Sequence, residues 1–84
     1  MINQQLRHLI GSNKMFHLTP EVSDDASLFD SGVIDSFGMI GLVISLEQQF
    51  GIAVPPEEAT AERFRSIASI AAYIETKQNA HHRG

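Results

Sequence analysis

The residues best placed to do chemistry are Asp35 and Ser36, which stand side by side ahead of a strongly apolar stretch of the sequence. Aspartate and serine are also common caps of helix N-termini, and in an arbitrary protein capping alone explains such a pair. No histidine or lysine lies near Ser36 in the sequence, so the chain itself offers no adjacent base to activate the hydroxyl. Ser36 is therefore either a cap or a hydroxyl that a separate enzyme modifies.

A second group of chemically capable residues is acidic and lies ahead of Ser36, in a stretch without lysine or arginine that begins at His17. The regular alternating ligands and the closing glutamate of an EF-hand loop are absent there, so we predict a solvated docking face and no metal site. Ser31 also follows an aspartate, but it precedes Gly32 and no helix begins there, which predicts a turn. The acids are Glu21, Asp24, Asp25, Asp30 and Asp35.

The remaining chemically versatile side chains do not suggest a site. The histidines have no plausible set of partners or lie in a polar tail, and we predict that they are surface residues. The sequence contains no cysteine, which excludes a disulfide, a thiol nucleophile and a thiolate metal site. Without a nucleophile beside a base, a metal cluster or a glycine-rich phosphate loop, the chain is not expected to be an enzyme. The histidines are His8, His17, His81 and His82.

The element that must position Ser36 is a helix predicted from Ser36 to Phe50, because large apolar residues recur there at helical spacing. Asp35 or Ser36 can cap its start, and Gly51 stands where a left-handed C-terminal cap is expected. We predict that the apolar face of this helix is buried, with Ile44 at its centre. That face comprises Phe37, Ile40, Val43, Ile44 and Phe50, with Leu42 and Leu46 beside them.

Two elements precede this helix. Apolar residues that follow Ile2 at offsets of four, seven and eight predict helix I over about Ile2 to Lys14. Clusters of turn formers then fill the stretch from His17 to Asp35, and we predict a long loop that buried apolar side chains pin to the core. The candidate anchors are Leu18, Val22, Leu28, Phe29, Val33 and Ile34.

Two more elements follow it. The residues before Pro55-Pro56 are predicted to be extended, because a residue that precedes proline avoids the helical region. Glu57 and Glu58 open a short helix III, with Arg63 and Arg65 toward its end. Ser66 caps helix IV, whose buried stripe is centred on Ile70. The stripe comprises Ile67, Ile70, Ala71 and Ile74.

These elements predict an all-α fold, a small helical bundle with three main helices, a short third helix and a long loop between helices I and II. A chain of 84 residues suits a single domain, which we place at residues 1–75. Positions 76–84 are polar and without periodicity, and they are predicted to form a frayed tail.

The net charge of −4 opposes binding to a phosphate backbone and suits a basic partner surface, so no nucleic-acid partner is expected. No apolar run approaches the roughly 20 residues of a membrane span, and the N-terminus lacks the pattern of a signal peptide. We therefore expect a monomer in the cytoplasm that does not cross a membrane.

The motif Asp35-Ser36-Phe37 resembles the hallmark of the acyl and peptidyl carrier family, the phosphopantetheine-bearing domains of fatty-acid, polyketide and nonribosomal peptide synthesis. That hallmark is an Asp-Ser pair followed by a large apolar residue at the head of helix II. The resemblance extends over about Leu18 to Ile74. The family's later features, a helix ending in Glu and Phe, an extended piece ending in proline and an acidic short helix, appear here as Glu47 to Phe50, Ile52 to Pro55 and Glu57-Glu58.

The resemblance implies an acyl-carrier-like bundle with a covalent 4'-phosphopantetheine, which a phosphopantetheinyl transferase would join to Ser36 from coenzyme A. It also implies that Asp35 meets the magnesium ion of that transferase. The chain would then be a non-catalytic carrier that holds an acyl or aminoacyl group as a thioester and presents it to ligases or synthases. An unmodified helical module for protein interaction or regulation is the alternative.

Within the family, the sequence looks closer to stand-alone D-alanyl, other aminoacyl and polyketide-type carriers than to fatty-acid carriers. Fatty-acid carriers commonly bear several acids along helix II, whereas Glu47 is the only ionisable residue between Phe37 and Phe50. We therefore predict that partners dock on the start and exposed side of helix II chiefly by shape and apolar contact. The predicted docking residues are Phe37, Gly38, Met39, Gly41 and Glu47.

Overall fold

The protein, seen here in a computed structural model that describes residues 2–13 and 16–83, is built from three α-helices. They are α1 (Ile2–Ser12), α2 (Ser36–Phe50) and α3 (Ile67–Arg83), and a 3-10 helix, η1 (Pro56–Glu58), lies between α2 and α3. The described ranges contain no strand, and the predicted all-α bundle is confirmed. Helix α1 ends at Ser12, and Lys14, its predicted end, lies outside the described residues.

The bounds of α2 agree with the prediction because both of its ends carry local signals. Asp35 is the N-cap, and Gly51 closes the helix with φ 64° and ψ 35°, a left-handed conformation that lets its N–H reach the Glu47 carbonyl. A residue with a Cβ would be strained at this φ, so glycine suits the position.

The buried face of α2 differs from the predicted one. Leu42 and Leu46 are fully buried, whereas Ile44, the predicted centre of the face, is 50% exposed. Because α2 is apolar almost all round, helical spacing alone does not select the side that meets the core. The parts of the chain that pack around α2, among them the loop that precedes it, determine which side of the helix is buried. The buried hydrophobic residues are Leu6, Ile10, Phe16, Leu28, Val33, Ile34, Leu42, Leu46, Val54, Phe64, Ile67, Ile70, Ala71 and Ile74.

The loop ahead of α2 is pinned as predicted. Leu28, Val33 and Ile34 are buried, and the Leu28 carbonyl accepts hydrogen bonds from the N–H groups of Val33, at 3.0 Å, and Ile34, at 3.2 Å. The Leu28 N–H donates to the carbonyl of Arg65 at 2.6 Å, which ties the loop to the segment before α3. The other predicted anchors, Leu18, Val22 and Phe29, are partly buried against the same core.

Asp24 joins this loop to both terminal helices. Its carboxylate accepts hydrogen bonds from Arg7 Nε at 2.7 Å and from Asn3 Nδ2 at 3.0 Å, both on α1. Its carbonyl accepts the N–H of Ala68, at the start of α3, at 2.8 Å. Arg7 also donates through Nη2 to the carbonyl of Val22. One acid of the partly solvated loop is therefore also a structural junction.

Helix III is shorter than predicted. The 3-10 turn η1 stops at Glu58 because Ala59 leaves the helical region, with φ −84° and ψ 68°. Arg63 and Arg65, which were predicted to lie toward the end of this helix, instead lie in a stretch of turns and bends after it. There the Thr60 hydroxyl accepts the N–H of Arg63 at 3.2 Å.

Helix α3 continues through the segment that was predicted to be a frayed tail, as far as Arg83. A polar cluster, here named the Glu58 clasp, accounts for its order near Lys77. Glu58 Oε1 accepts a hydrogen bond from Tyr73 Oη at 2.5 Å and forms an ion pair with Lys77 Nζ at 3.2 Å. Through Tyr73 and Lys77, which flank Ile74 in the sequence, the clasp fastens η1 to α3. Gly84 lies outside the described residues.

Within the part of the chain that the structure describes, no helix combines the length and apolar character needed to cross a membrane.

Candidate functional site

Asp35 and Ser36 have different positions at the start of α2, one as the cap and the other as the first helical residue. Asp35 is the N-cap, in an extended conformation with φ −120° and ψ −172°, and its Oδ1 accepts the N–H of Gly38 at 2.7 Å. Ser36 is the first residue of the helix and is exposed. Among the described residues, none hydrogen-bonds the Ser36 hydroxyl. The capping role therefore belongs to Asp35, which leaves Ser36 Oγ accessible to a reagent from outside.

Gly38 holds the start of α2 tightly against the preceding loop. It is buried, and a Cβ at this position would lie 3.1 Å from Phe16 Cε1, 3.3 Å from Asp35 Oδ1 and 3.4 Å from Ile34 Cγ1. A side chain here would force these neighbours to shift, so glycine suits the close approach on the inner side of the helix. The burial of Gly38 contradicts its predicted outward position, and its part in docking stays a prediction.

The other predicted docking residues have mixed positions. Phe37 is 81% exposed. Met39 is partly buried against the core. Gly41 is partly buried. Glu47 is also partly buried, and its Oε2 accepts the N–H of Val54 at 2.9 Å, so its carboxylate braces the segment after α2.

Two exposed residues of α2 were assigned to the core and missed as surface candidates. Ile40 is 58% exposed and Ile44 is 50% exposed. Together with Phe37 they follow one another at offsets of three and four, which places all three on one side of the helix. Their spacing was visible in the sequence, but it was interpreted as the buried face.

The acids of the preceding loop do not gather at one point. Within residues 2–13 and 16–83, no three or more acidic or histidine side chains are arranged to hold a metal ion. Hydrogen bonds from Asn3 and then Arg7 lower the pKa of Asp24, and one from the Thr19 hydroxyl lowers the pKa of Glu21. Asp30 and Asp35 remain exposed acids close to Ser36 in the sequence.

Ser31, the rival hydroxyl, is engaged within its own turn. Its Oγ donates to the carbonyl of Ser27 at 2.7 Å, and its N–H donates to the same carbonyl at 3.0 Å. Gly32 follows with φ 79°, which is the left-handed geometry of a turn. The predicted turn is thus present, and its hydroxyl is occupied.

A groove of about 720 Å³ lies at the end of α2 opposite Ser36. It is lined by residues of α1, by Gln78 of α3 and by the last turn of α2, and these include His8, Gln49 and Phe50. Phe37, Phe50 and Phe64 do not line one common cavity, because Phe37 is exposed, Phe64 is fully buried and Phe50 borders this groove. His17 is exposed on the loop.

The start of α2 suits a covalently attached phosphodiester. Ser36 is exposed, and the N–H groups of Ser36 and Phe37 have no intrahelical acceptors, whereas the N–H of Gly38 is taken by the Asp35 cap. An anion at this end gains about 0.3–1 kcal/mol from the helix dipole. A bulky group on Ser36 would point away from the packed side of the helix, which Gly38 occupies.

The fold and this serine define the class of protein. Residues 14–74 match the family described as phosphopantetheine attachment site, and the chain belongs to that family. It is a carrier protein that bears a covalent 4'-phosphopantetheine, and it is a substrate of other enzymes and not a catalyst.

The individual proteins to which this chain is similar have more specific descriptions than the family has. It is 40% identical over 62 residues to the D-alanyl carrier protein of Streptococcus uberis, a match that covers 71% of this chain and 78% of the relative. It is 39% identical over 54 residues to D-alanyl carrier protein 2 of Lactiplantibacillus plantarum, covering 64% and 68%. It is 38% identical over 56 residues to the D-alanyl carrier protein of Streptococcus pyogenes serotype M5, covering 67% and 71%.

Proposed function

We propose that Ser36 is the attachment residue and that the protein carries an aminoacyl group, of the kind named for its D-alanyl relatives, on the attached arm. The observation that carries this proposal is the separation of roles at the start of α2. Asp35 supplies the cap, so the exposed Ser36 hydroxyl can be esterified without loss of the helix start. Ser31 lacks this freedom because its hydroxyl already donates within a turn.

The chemistry at Ser36 is a transfer from coenzyme A. Ser36 Oγ forms a new P–O bond with the phosphate that bears the pantetheine, the diphosphate bond of coenzyme A breaks and releases adenosine 3',5'-bisphosphate, and the hydroxyl proton passes to a base of the transferase. Only Oδ1 of the Asp35 carboxylate takes part in the cap. Its second oxygen is thereby available for the transferase's magnesium ion, the role proposed for this residue. The N–H groups of Ser36 and Phe37, which Asp35 Oδ1 does not accept, are then available to the new phosphodiester.

When attached, the arm supplies a terminal thiol that holds the cargo as a thioester. The chain's own part is to keep Ser36 at an exposed helix start, which the close approach of the buried Gly38 to Phe16 and Ile34 anchors to the core. We place the carrier unit at residues 1–75, in the cytoplasm, as a monomer. Its partners are a phosphopantetheinyl transferase and an acyl or aminoacyl ligase or synthase.

The test is intact-mass analysis after incubation of the unmodified protein with coenzyme A and a broad-specificity phosphopantetheinyl transferase. We expect wild type and Ser31→Ala to gain the mass of one phosphopantetheine, and Ser36→Ala to gain none. Ser36→Ala should stay folded, because Asp35 retains the cap. Modification of Ser36→Ala, or loss of modification in Ser31→Ala, would show that Ser36 is not the attachment residue. An unmodified wild type would favour the alternative of an interaction module.

Cargo is tested on the modified protein. The ligase that loads the Streptococcus uberis relative, supplied with ATP and one amino acid at a time, should place D-alanine on wild type. Acceptance of a different amino acid or only of an acyl group would keep the carrier role and reject the D-alanyl assignment.

A further inference from the structure

The first turn of α2 leaves little room for a side chain on its inner side. A Cβ on Gly38 would lie 3.1 Å from Phe16 Cε1, 3.3 Å from Asp35 Oδ1 and 3.4 Å from Ile34 Cγ1. Non-bonded carbon atoms pack best at about 3.5–4.0 Å, so these contacts are tight. A side chain on Gly38 would therefore force at least one of the three neighbours to move.

The three neighbours differ in their freedom to move. Phe16 and Ile34 are 6% and 5% exposed and belong to the packed core, which resists even small changes of volume. The backbone of Phe16 is also held, because its N–H donates to the carbonyl of Asn13 at 3.1 Å. Asp35, in contrast, is exposed. A side chain on Gly38 would thus displace the Asp35 carboxylate before it displaced either core residue.

The orientation of the Asp35 carboxylate depends on this approach. Its Oδ1 accepts the N–H of Gly38 at 2.7 Å, and among the described residues no group donates to Oδ2. Because a carboxylate is planar, holding Oδ1 at the helix also limits where Oδ2 can lie. Oδ2 is the oxygen that a metal ion can reach, and oxygen is the ligand that magnesium prefers. The missing side chain of Gly38 therefore bears on the metal-facing oxygen as well as on the cap.

We propose, on the premise that Ser36 is the attachment residue and that Asp35 meets the transferase's magnesium ion, that Gly38 is a positioning residue for the modification of Ser36. Phe16 closes the inner side of the first turn, and glycine is the residue that fits between the Phe16 ring and the Asp35 carboxylate. Gly38 touches neither coenzyme A nor the reacting hydroxyl. It acts through Asp35, whose carboxylate it allows to stay in one orientation beside Ser36.

The first experiment measures kcat and KM for modification of the unmodified protein by coenzyme A and a broad-specificity phosphopantetheinyl transferase, at several magnesium concentrations. We expect Gly38→Ala to lower kcat about tenfold or more, with KM for the carrier little changed, because a misplaced carboxylate affects the reacting complex and not its formation. The magnesium concentration that gives half the maximal rate should rise. Alanine favours a helix more than glycine does, so helix propensity cannot explain a slower reaction.

Gly11→Ala is the matched control. It makes the same substitution in another helix, α1, where a Cβ would lie 4.0 Å from Leu18 Cδ2, an ordinary contact. This variant should react like wild type and need no more magnesium. The thermal midpoint of every variant is measured in parallel, and rates that simply follow the midpoints would overturn the inference.

The second experiment restores the space beside residue 38. Phe16→Leu removes the ring atom that the alanine methyl would meet, so Phe16→Leu/Gly38→Ala should be modified faster than Gly38→Ala and about as fast as Phe16→Leu. A double variant no faster than Gly38→Ala would overturn the inference. If Gly38→Ala does not fold, the comparison of the double variant with Phe16→Leu still decides, and a tenfold lower kcat in the double variant would contradict the role given to the space.

Amide hydrogen exchange gives a readout without the transferase. The N–H of residue 38 is protected in wild type by its bond to Asp35 Oδ1. Its protection, relative to an unstructured peptide of the same sequence, should fall in Gly38→Ala and return in the double variant. The N–H of the buried Leu42, one turn further along α2, should stay protected in all of them. Unchanged protection at residue 38 in Gly38→Ala would show that the carboxylate has not moved.

The outcomes separate this proposal from the one on which it rests. A wild type that accepts no phosphopantetheine contradicts the assignment of Ser36. A wild type that is modified, with Gly38→Ala modified at the same rate or impaired only in KM, keeps Ser36 and removes the positioning role of Gly38. Asp35→Asn retains a capping side chain but not the free carboxylate oxygen. Its modification at the wild-type rate would overturn the inference and leave Ser36 in place.

Discussion

Asp24 shows how one side chain of the long loop differs from its neighbours. The sequence places it among five acids of similar appearance, but the structure gives it two donors on α1 and a backbone bond to α3. No local spacing signals a contact between positions 3 and 24, because such contacts depend on the packing of helices that are distant in sequence. The general prediction of a solvated acidic face could not single it out.

The pH dependence of stability tests this junction. Hydrogen bonds from Asn3, and next from Arg7, lower the pKa of Asp24 below the ordinary 3.8. Folding thus favours the carboxylate, so its contribution is present above the pKa of an unfolded aspartate, near 3.9, and is lost as pH falls through the lower folded-state pKa. We expect Asp24→Asn to lower the thermal midpoint at neutral pH and to flatten its decline below about pH 4.

The control for this measurement is Asp25→Asn, which changes an adjacent exposed acid that lies outside the junction. Its thermal midpoint at neutral pH should match that of wild type. If the thermal midpoint of Asp24→Asn falls with decreasing pH as steeply as that of wild type, the role given to Asp24 is contradicted.

The two apolar sides of α2 illustrate what can be learned from a helix in isolation. Its bounds were predictable because Asp35 and Gly51 are local end signals. Its orientation was not, because Ile44 and Leu46 are equally apolar and only the surrounding loop decides which side is covered. The same limit applies at α3, whose start at Ile67 was predicted but whose extension past Thr76, where Lys77 makes a tertiary contact with Glu58, was not.

A pair of truncations measures this orientation directly. Ile70 is fully buried and Ile44 is half exposed. Ile70→Ala should cost about 2–5 kcal/mol in the free energy of unfolding, because it leaves a cavity in the core. Ile44→Ala removes the same atoms at the surface and should cost no more than about 0.5 kcal/mol. Urea unfolding of both variants gives the comparison, and similar losses for the two would refute the burial assigned to α2.

On the scale of the whole molecule, the protein is about three helices across, with principal extents of 37 × 25 × 20 Å. Ser36 lies at one end of α2, and the groove beside Phe50 lies at the other end, about 20 Å away along the helix. The all-α class, the carrier family and the serine motif could all be predicted from local sequence patterns. The assignment of outer and inner surfaces could not, because it emerges only when the loop and the rest of the core pack against one side of α2.

The Glu58 clasp leads us to predict at which pH Tyr73 ionises in the folded protein. Burial, and next the hydrogen bond to Glu58, raise the pKa of Tyr73 well above the ordinary 10.0. The neutral phenol is therefore favoured by folding, and its contribution is complete below pH about 10 and is lost as pH rises through the folded-state pKa. Tyrosinate absorbance should appear at higher pH in the native protein than in urea.

Glu58→Ala should move the native titration of Tyr73 back toward that of the unfolded chain. Glu57→Ala, at the exposed neighbour in η1, is the control and should titrate like wild type. If Glu58→Ala and wild type ionise at the same pH, the clasp does not hold the phenol.

The clasp also supplies this protein with its own optical probe. Tyr73 is the sole tyrosine and the sequence has no tryptophan, so tyrosine fluorescence from the entire chain originates at one ring, between η1 and α3. Arg63 and Lys77 each lie 5.9 Å from the centre of that ring. Any displacement of η1 during loading or docking would change the surroundings of the only emitter. Such movements can be followed in real time without a label.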